Sequence, residues 1–358
     1  MLAGPQARRH LAAHGLRQQD VRVIPGAAGG PKGLILNPID RFLFGRWLPQ
    51  STQTVHLLGA SIGAWRLAAA CLADPDAALA RMAEDYIVQD YPHAPGRSPT
   101  PAAVSAAFDA KLAEHFGGRE GELLNHPRLR LHLFTSHGRK LLGREGRWRT
   151  AIGYSAALAT NLLSRRALGF WLERVVFSDP RHPLPIPLDD YRSRQILLTA
   201  ANLRPALLAS CSIPFWLQAV HDIPGAPAGA YWDGGITDYH LHLRYARMGG
   251  DPAGSAGTGL VLYPHFQPTL VPGWLDKRLG HRHQATSALA NVVVLAPRAD
   301  WIAGLPGGKL PDRADFLAYR DDLPGRVRAW RRALAESQVL ADEFEQCLSG
   351  GAMLAEAL

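Results

Sequence analysis

The stretch Val55-His56-Leu57-Leu58-Gly59-Ala60-Ser61-Ile62-Gly63 constrains the fold more than any other part of the 358-residue chain. An apolar run leads into a serine flanked by small residues, and an Ala- and Leu-rich run leaves it. This order predicts a strand over 54–58, a tight turn over 59–63 and a helix over 62–73 that stops near Asp74-Pro75. Small residues at Gly59 and Gly63 suit a strand and a helix that pass close together through so short a turn. The Ser61 hydroxyl would then stand proud of a sheet, at a helix N-terminus with free N–H groups and a positive dipole end. A serine on such a turn is a candidate nucleophile, and the plainer alternative is an ordinary Gly-rich strand–helix connection.

A second strand over 21–25 feeds another Gly-rich loop, Pro25-Gly26-Ala27-Ala28-Gly29-Gly30-Pro31-Lys32-Gly33. It lacks the G-x-G-x-x-G spacing of a dinucleotide fingerprint, and Lys32 lies between Pro31 and Gly33 rather than before Ser or Thr as a phosphate loop needs. Bare backbone donors at Gly29 and Gly30 suit an oxyanion hole, while Pro31 has no N–H and is placed to start a helix. Lys32 either attracts an acidic group or holds the loop. Further on, Trp232-Asp233-Gly234-Gly235 reads as a turn whose carboxylate could accept a proton if burial raised its pKa. Asp238, five residues on, is an alternative carboxylate, expected rather to cap or to bond locally.

Elsewhere, strands are expected over 129–135, 174–177, 259–263 and 291–295. Helices are expected over 34–47, 151–164 and on to 173, and 195–209. The stretch 76–125 reads as largely helical with a break over 91–101, and the tail 313–348 as helical with a break at Pro324-Gly325. Pro/Gly-rich loops fall at 222–229 and 249–259. Strands alternating with helices argue for a parallel sheet. The whole reads as a single α/β domain over 1–358, with core motifs over 21–245 and C-terminal strands and a helical extension over 259–358.

The glycine loop with Lys32 and Gly33, the Gly59–Gly63 turn, the segment Ala209-Ser210-Cys211-Ser212-Ile213-Pro214 and the Asp233-Gly234-Gly235 turn stand in one order. Together they resemble the patatin-like phospholipases over residues 21–245. The resemblance implies a three-layer α/β/α fold with a mainly parallel sheet and extra helices, and hydrolysis of lipid acyl esters without cofactor or metal. It also implies Ser61 as nucleophile, Asp233 as its activating base, and an oxyanion hole of Gly29, Gly30 and the Ile62 N–H. Lys32, Gly33, Gly59, Gly63, Gly234 and Gly235 support these as motif positions. The chain departs from the family's loop at Ala27 and Ala28, where Asp and Gly are usual, and a Cβ at 28 is expected to disturb the first donor.

Composition narrows the alternatives. With 47% apolar and 20% charged residues the chain is neither disordered nor short of core. Three scattered cysteines exclude a disulfide framework and point to a reducing compartment. The first residues lack an apolar signal region, so a cytoplasmic protein, peripheral to membrane at most, is expected. The net charge of +8 favours anionic partners, and residues 119–149 alone carry eight basic against three acidic side chains, suggesting contact with an anionic membrane surface. Basic and aromatic residues do not interleave as nucleic-acid binding would require. Two other chemistries remain open: a Ser–Asp–His triad using His240, His242 or His265, and metal binding at His240-x-His242 or His281-x-His283, although two ligands do not make a site. A non-enzymatic binder of anionic lipid on the same fold is a third alternative.

Overall fold

The computed structural model describes residues 1–91, 98–249, 259–351 and 353–358. Parts of two expected features, the break over 91–101 and the loop over 249–259, therefore lie outside the described residues. The described strands are β1 (Leu2–Ala3), β2 (Val21–Gly26), β3 (Val55–Ala60), β4 (Leu129–Gly138), β5 (Leu172–Ser178), β6 (Ser193–Leu197), β7 (Val220–His221), β8 (Ala230–Asp233), β9 (Leu260–Pro264), β10 (Val292–Leu295) and β11 (Glu356–Ala357). They form one sheet in the order β11-β1-β10-β9-β2-β3-β4-β5-β6, with β8 on β4 and β7 on β8. The run from β10 to β4 is parallel throughout. Antiparallel pairs enter where β5 and β8 meet β4, at β7–β8 and at β1–β10.

Alternation along the central strands fills both faces, as parallel strands covered on each side require. Val55 and Leu57 of β3 and Leu129, Leu131 and Leu133 of β4 point into one core, shared with Trp65, Leu79, Phe108, Leu207 and Phe344 from flanking helices. Leu58, Ala60 and Phe134 point into the other, shared with Leu241, Phe266, Leu270, Leu305 and Ala333. The outcome is the expected α/β architecture, a mostly parallel sheet between flanking layers. The strands expected over 259–263 and 291–295 lie inside the sheet rather than appended to it, since β9 pairs with β2.

Several boundaries move. The helix expected over 195–209 is a strand to Leu197 followed by the helix Ala200–Cys211. Among the described residues only β5 flanks β6, so three of its five residues are exposed and they carry no apolar alternation to read. The helix expected to run on to 173 stops in a 3₁₀ turn at Phe170, and β5 begins at Leu172. The tail does not break at Pro324-Gly325. Pro324 occupies the first turn of the helix Leu323–Glu336, where its missing N–H costs nothing, and the break precedes it. Asp238 does not bond locally. It is buried and takes a bidentate contact from Arg174, 64 residues away, at 2.7 and 2.6 Å.

Candidate active site

Strand register brings Ser61 and Asp233 together. β3 runs parallel to β4 and ends with Ala60 opposite Phe134. From Thr135 onward that same edge of β4 is taken over by β8, which runs antiparallel and ends with Asp233 opposite Thr135. The C-terminal ends of β3 and β8 thus point at each other along one edge. Across that junction Ser61 Oγ donates to Asp233 Oδ2 at 2.6 Å, with both side chains buried.

The turn holding Ser61 is strained. Its φ of 56° and ψ of −128° lie where L-residues are rarely found, and such conformations persist only where surrounding contacts hold them. Two contacts do so here. Ser61 N–H donates to Ser210 Oγ at 3.0 Å, and Ser210 Oγ donates to the Phe134 carbonyl at 2.7 Å. The same helix end carries the Asp233 side, because Gly234 N–H donates to the Ser210 carbonyl and Asp233 N–H to the Ser212 carbonyl. Ser210 therefore ties nucleophile turn, central strand and acid turn to one point. Sequence reading found its segment but gave Ser210 no role; the signal was its place in the Ala209-Ser210-Cys211-Ser212-Ile213-Pro214 element.

The helix that follows, Ile62–Ala70, passes against the first glycine loop. A Cβ on Gly63 would lie 1.9 Å from the Gly26 carbonyl oxygen, and a Cβ on Gly59 2.4 Å from Ala64 Cα, so any larger residue would force the elements apart. Arg66 on this helix forms a buried bidentate pair with Asp40 at 2.7 and 2.8 Å, which locks it to the helix Asn37–Phe42 that continues the glycine loop.

The other motif positions fall around this junction. Gly30 opens the 3₁₀ helix Gly30–Leu36 and Ile62 opens the nucleophile helix, so their N–H groups lie at helix starts, where intrahelical acceptors are missing. Gly30 has φ +59° and borders the same cavity as Ser61, while Gly29 packs on Phe266. The Ala28 N–H is turned away, donating to the Tyr239 carbonyl at 2.9 Å, so the methyl at 28 sits on a residue whose donor is already engaged. Gly33 lies under Ile62 and Arg66, and Lys32 sits over the Phe266 ring. Gly234 lies against the Phe134 carbonyl, and Gly235 N–H donates to Asp233 Oδ1 at 2.7 Å, which orients the carboxylate. Burial raises the Asp233 pKa above its ordinary 3.8, opposed by the charge of Arg313 and by the Ser61 and Gly235 hydrogen bonds.

The histidine alternatives are used elsewhere. His240 Nδ1 accepts from Val271 N–H and its ring stacks on Tyr239. His265 accepts from Gln267 N–H, and burial lowers its pKa to about 3. Burial also lowers His242. Ser61 Oγ donates its hydrogen bond to Asp233 and not to a ring nitrogen. His283 bonds the Asp276 carbonyl, and among the described residues no three His, Cys, Asp or Glu side chains cluster as metal ligands would.

Ser61 opens into a cavity of about 350 Å³, within the range of small-ligand sites. Its walls are mainly apolar and aromatic, among them Trp65, Tyr86, Phe108, Trp216, Leu217 and Phe316. The basic segment 119–149 does not form one solvated face. Arg130 is buried against backbone carbonyls of 126–129, Arg128 bonds the Leu48 and Ser51 carbonyls, Arg119 pairs with Glu122, and Arg139 bonds the Gly169 carbonyl.

A family model described as "Patatin-like phospholipase" matches residues 50–240. No curated protein matches the chain. Among solved structures, the chain is similar to VipD from Legionella pneumophila at 11% identity and a TM-score of 0.32, over 90% of this chain and 67% of that one.

Proposed function

Because the chain belongs to the patatin-like phospholipase family, we propose that it is a serine acyl hydrolase cleaving lipid carboxylic esters with Ser61 as nucleophile and Asp233 as base. The observation that carries this reading is the 2.6 Å Ser61–Asp233 hydrogen bond at the border of a mainly apolar cavity. Asp233 takes the proton as Ser61 Oγ bonds to the ester carbonyl carbon. The N–H groups of Gly30 and Ile62, helped by Gly29, stabilise the oxyanion. The carbonyl re-forms, the C–O bond to the alcohol breaks, and the alcohol leaves with the proton from Asp233. Water then attacks the acyl-serine, gives its proton to Asp233, and the proton returns to Ser61 as the acid departs. The pairing of β9 with β2 supports treating 1–358 as a single unit.

The cavity walls predict the acyl preference. Each methylene buried there contributes about 0.8 kcal/mol, so kcat/KM should rise about fourfold per added CH₂ until the space is filled. A chain-length series of 4-nitrophenyl esters measures this. No turnover at any length would contradict the hydrolase reading.

Contact with an anionic membrane surface has support in the helix Arg147–Leu163. Trp148 and Leu163 are 72% and 86% exposed, Ile152 and Leu162 are exposed between them, and Arg147, Arg149 and Arg166 flank the stripe. Apolar residues bordered by arginines suit the interface of an anionic bilayer. The helix lies near the cavity, since Tyr154 on its inner side meets Phe215 of the cavity wall. Among the described residues no helix is long and apolar enough to cross a membrane. Trp148→Ser with Leu163→Ser should weaken sedimentation with anionic vesicles at least fivefold, while hydrolysis of a monomeric ester changes little. Unaltered vesicle binding would remove this face from consideration.

A further inference from the structure

Three basic side chains come from separate segments, Arg313 and Lys277 near Asp233 and Lys32 on the glycine loop, and among the described residues none of the three forms an ion pair. Arg313 borders the large cavity together with Ser61 and Gly30, and it also borders a small recess walled by Ala28, Asp233, Gly235, Tyr239 and Trp274. A Cβ on Gly30 would lie 3.3 Å from Arg313 Nε. Lys277 places Nζ 4.1 Å from the centroid of the Tyr239 ring and 5.6 Å from that of Trp274, two walls of the recess. Lys32 lies behind the glycine loop with Nζ 5.4 Å from the centroid of Phe266.

The acids nearby are already committed. Asp312 and Asp315 hold Lys309 at 3.0 and 2.6 Å, and Asp315 also accepts from Trp330. Asp276, next to Lys277, accepts from Asn161, Arg165 and Arg282. Desolvation, followed by repulsion from Arg313 and Lys32, pushes the Lys277 pKa down. Among the described residues Asp233 is then the one carboxylate acting on both Arg313 and Lys277, and the positive charge left over is relieved by an anionic ligand.

The geometry points to an anion-binding subsite made by Arg313 and Lys277, with Lys32 adding charge behind it, that receives a negatively charged group carried on the leaving alcohol. The direction follows from the two spaces that meet at Ser61 and Asp233, and it rests on the hydrolase reading. The mainly apolar cavity beside Ser61 suits the acyl chain. Asp233 must return its proton to the alcohol, so the alcohol lies on the Asp233 side, toward Arg313, which borders both spaces; the recess itself, about 10 Å³, holds no more than a water molecule. The preferred ester therefore has a net negative leaving group, such as a phosphate monoester, rather than a zwitterionic or neutral one.

The test compares three monomeric substrates below their micelle concentrations: 1-lauroyl-glycerol 3-phosphate, its phosphocholine analogue and 1-lauroyl-glycerol. The wild type should show kcat/KM at least tenfold higher for the phosphate ester than for the other two. Arg313→Gln and Lys277→Met should each lower that value at least tenfold more than they lower it for 1-lauroyl-glycerol. Equal rates on the three substrates, or equal losses in the variants, would overturn the subsite. A second arm uses tryptophan fluorescence to titrate Ser61→Ala with octyl phosphate, octyl glucoside and inorganic phosphate. Octyl phosphate should bind most tightly, and Arg313→Gln should remove its advantage. Inorganic phosphate binding as tightly as octyl phosphate would overturn the leaving-group assignment in favour of a free-anion site. Charge-selective binding without hydrolysis of any ester sinks the hydrolase reading and keeps the subsite; hydrolysis without charge selectivity does the reverse.

Discussion

Ser61→Ala is expected to lower kcat by about 10⁶-fold, the scale on which a hydrolase loses its serine nucleophile. Cys211 supplies a thiol to the cavity wall, but burial holds its pKa well above the ordinary thiol value, so it stays protonated and unreactive. The variant should fold, because Ser61 is fixed through its backbone N–H and through register rather than through its hydroxyl. Ser61→Gly provides a control. Glycine adopts the φ of 56° without strain, so it should be more stable than Ser61→Ala by about 1–3 kcal/mol in chemical denaturation while equally inactive. Esterase turnover retained in either variant would exclude the serine mechanism.

Asp233→Asn is expected to cost about 10⁴-fold in kcat, the scale seen when a catalytic carboxylate becomes an amide. The amide oxygen can still accept from Gly235 N–H, so the turn persists, but it cannot take the serine proton. The pH profile reports the same group. Burial raises the Asp233 pKa, so its base form is lost as pH falls through a value above 3.8, and the acid limb of kcat/KM should lie above the ordinary carboxylate range. The Arg313 charge opposes that rise, so Arg313→Gln should move the limb to still higher pH. A limb at the ordinary aspartate value, unmoved in Arg313→Gln, would point to a different base.

The parts of this arrangement that were legible in the sequence are those encoded locally. The serine turn was readable because its strand, glycines and helix are adjacent, and Gly26, Gly59 and Gly63 prove to be sites of close backbone approach. The order of motifs placed Asp233 in the site, but not the reason it reaches Ser61. That reason is a strand-for-strand replacement along one edge of β4, a contact 172 residues long in sequence that no periodicity records. β8 is four residues long and β1 two, too short for an alternating pattern to show. The pairing of Asp238 with Arg174 escaped for the same reason, as did Lys277, in the connection between β9 and β10, and Arg313, in a turn before the last helices, neither with a motif around it. The histidine pairs drew attention as ligands or bases because side-chain type is visible in sequence while burial is not; His240 and His265 are both fully buried.

The most direct measurement is covalent labelling with an alkyl fluorophosphonate, read by intact mass and peptide mapping. One adduct at Ser61 is expected in the wild type, none in Ser61→Ala, and much slower labelling in Asp233→Asn. A wild-type adduct on a different residue, or labelling that persists unchanged in Ser61→Ala, would contradict the assignment of Ser61 and Asp233 as the reacting pair.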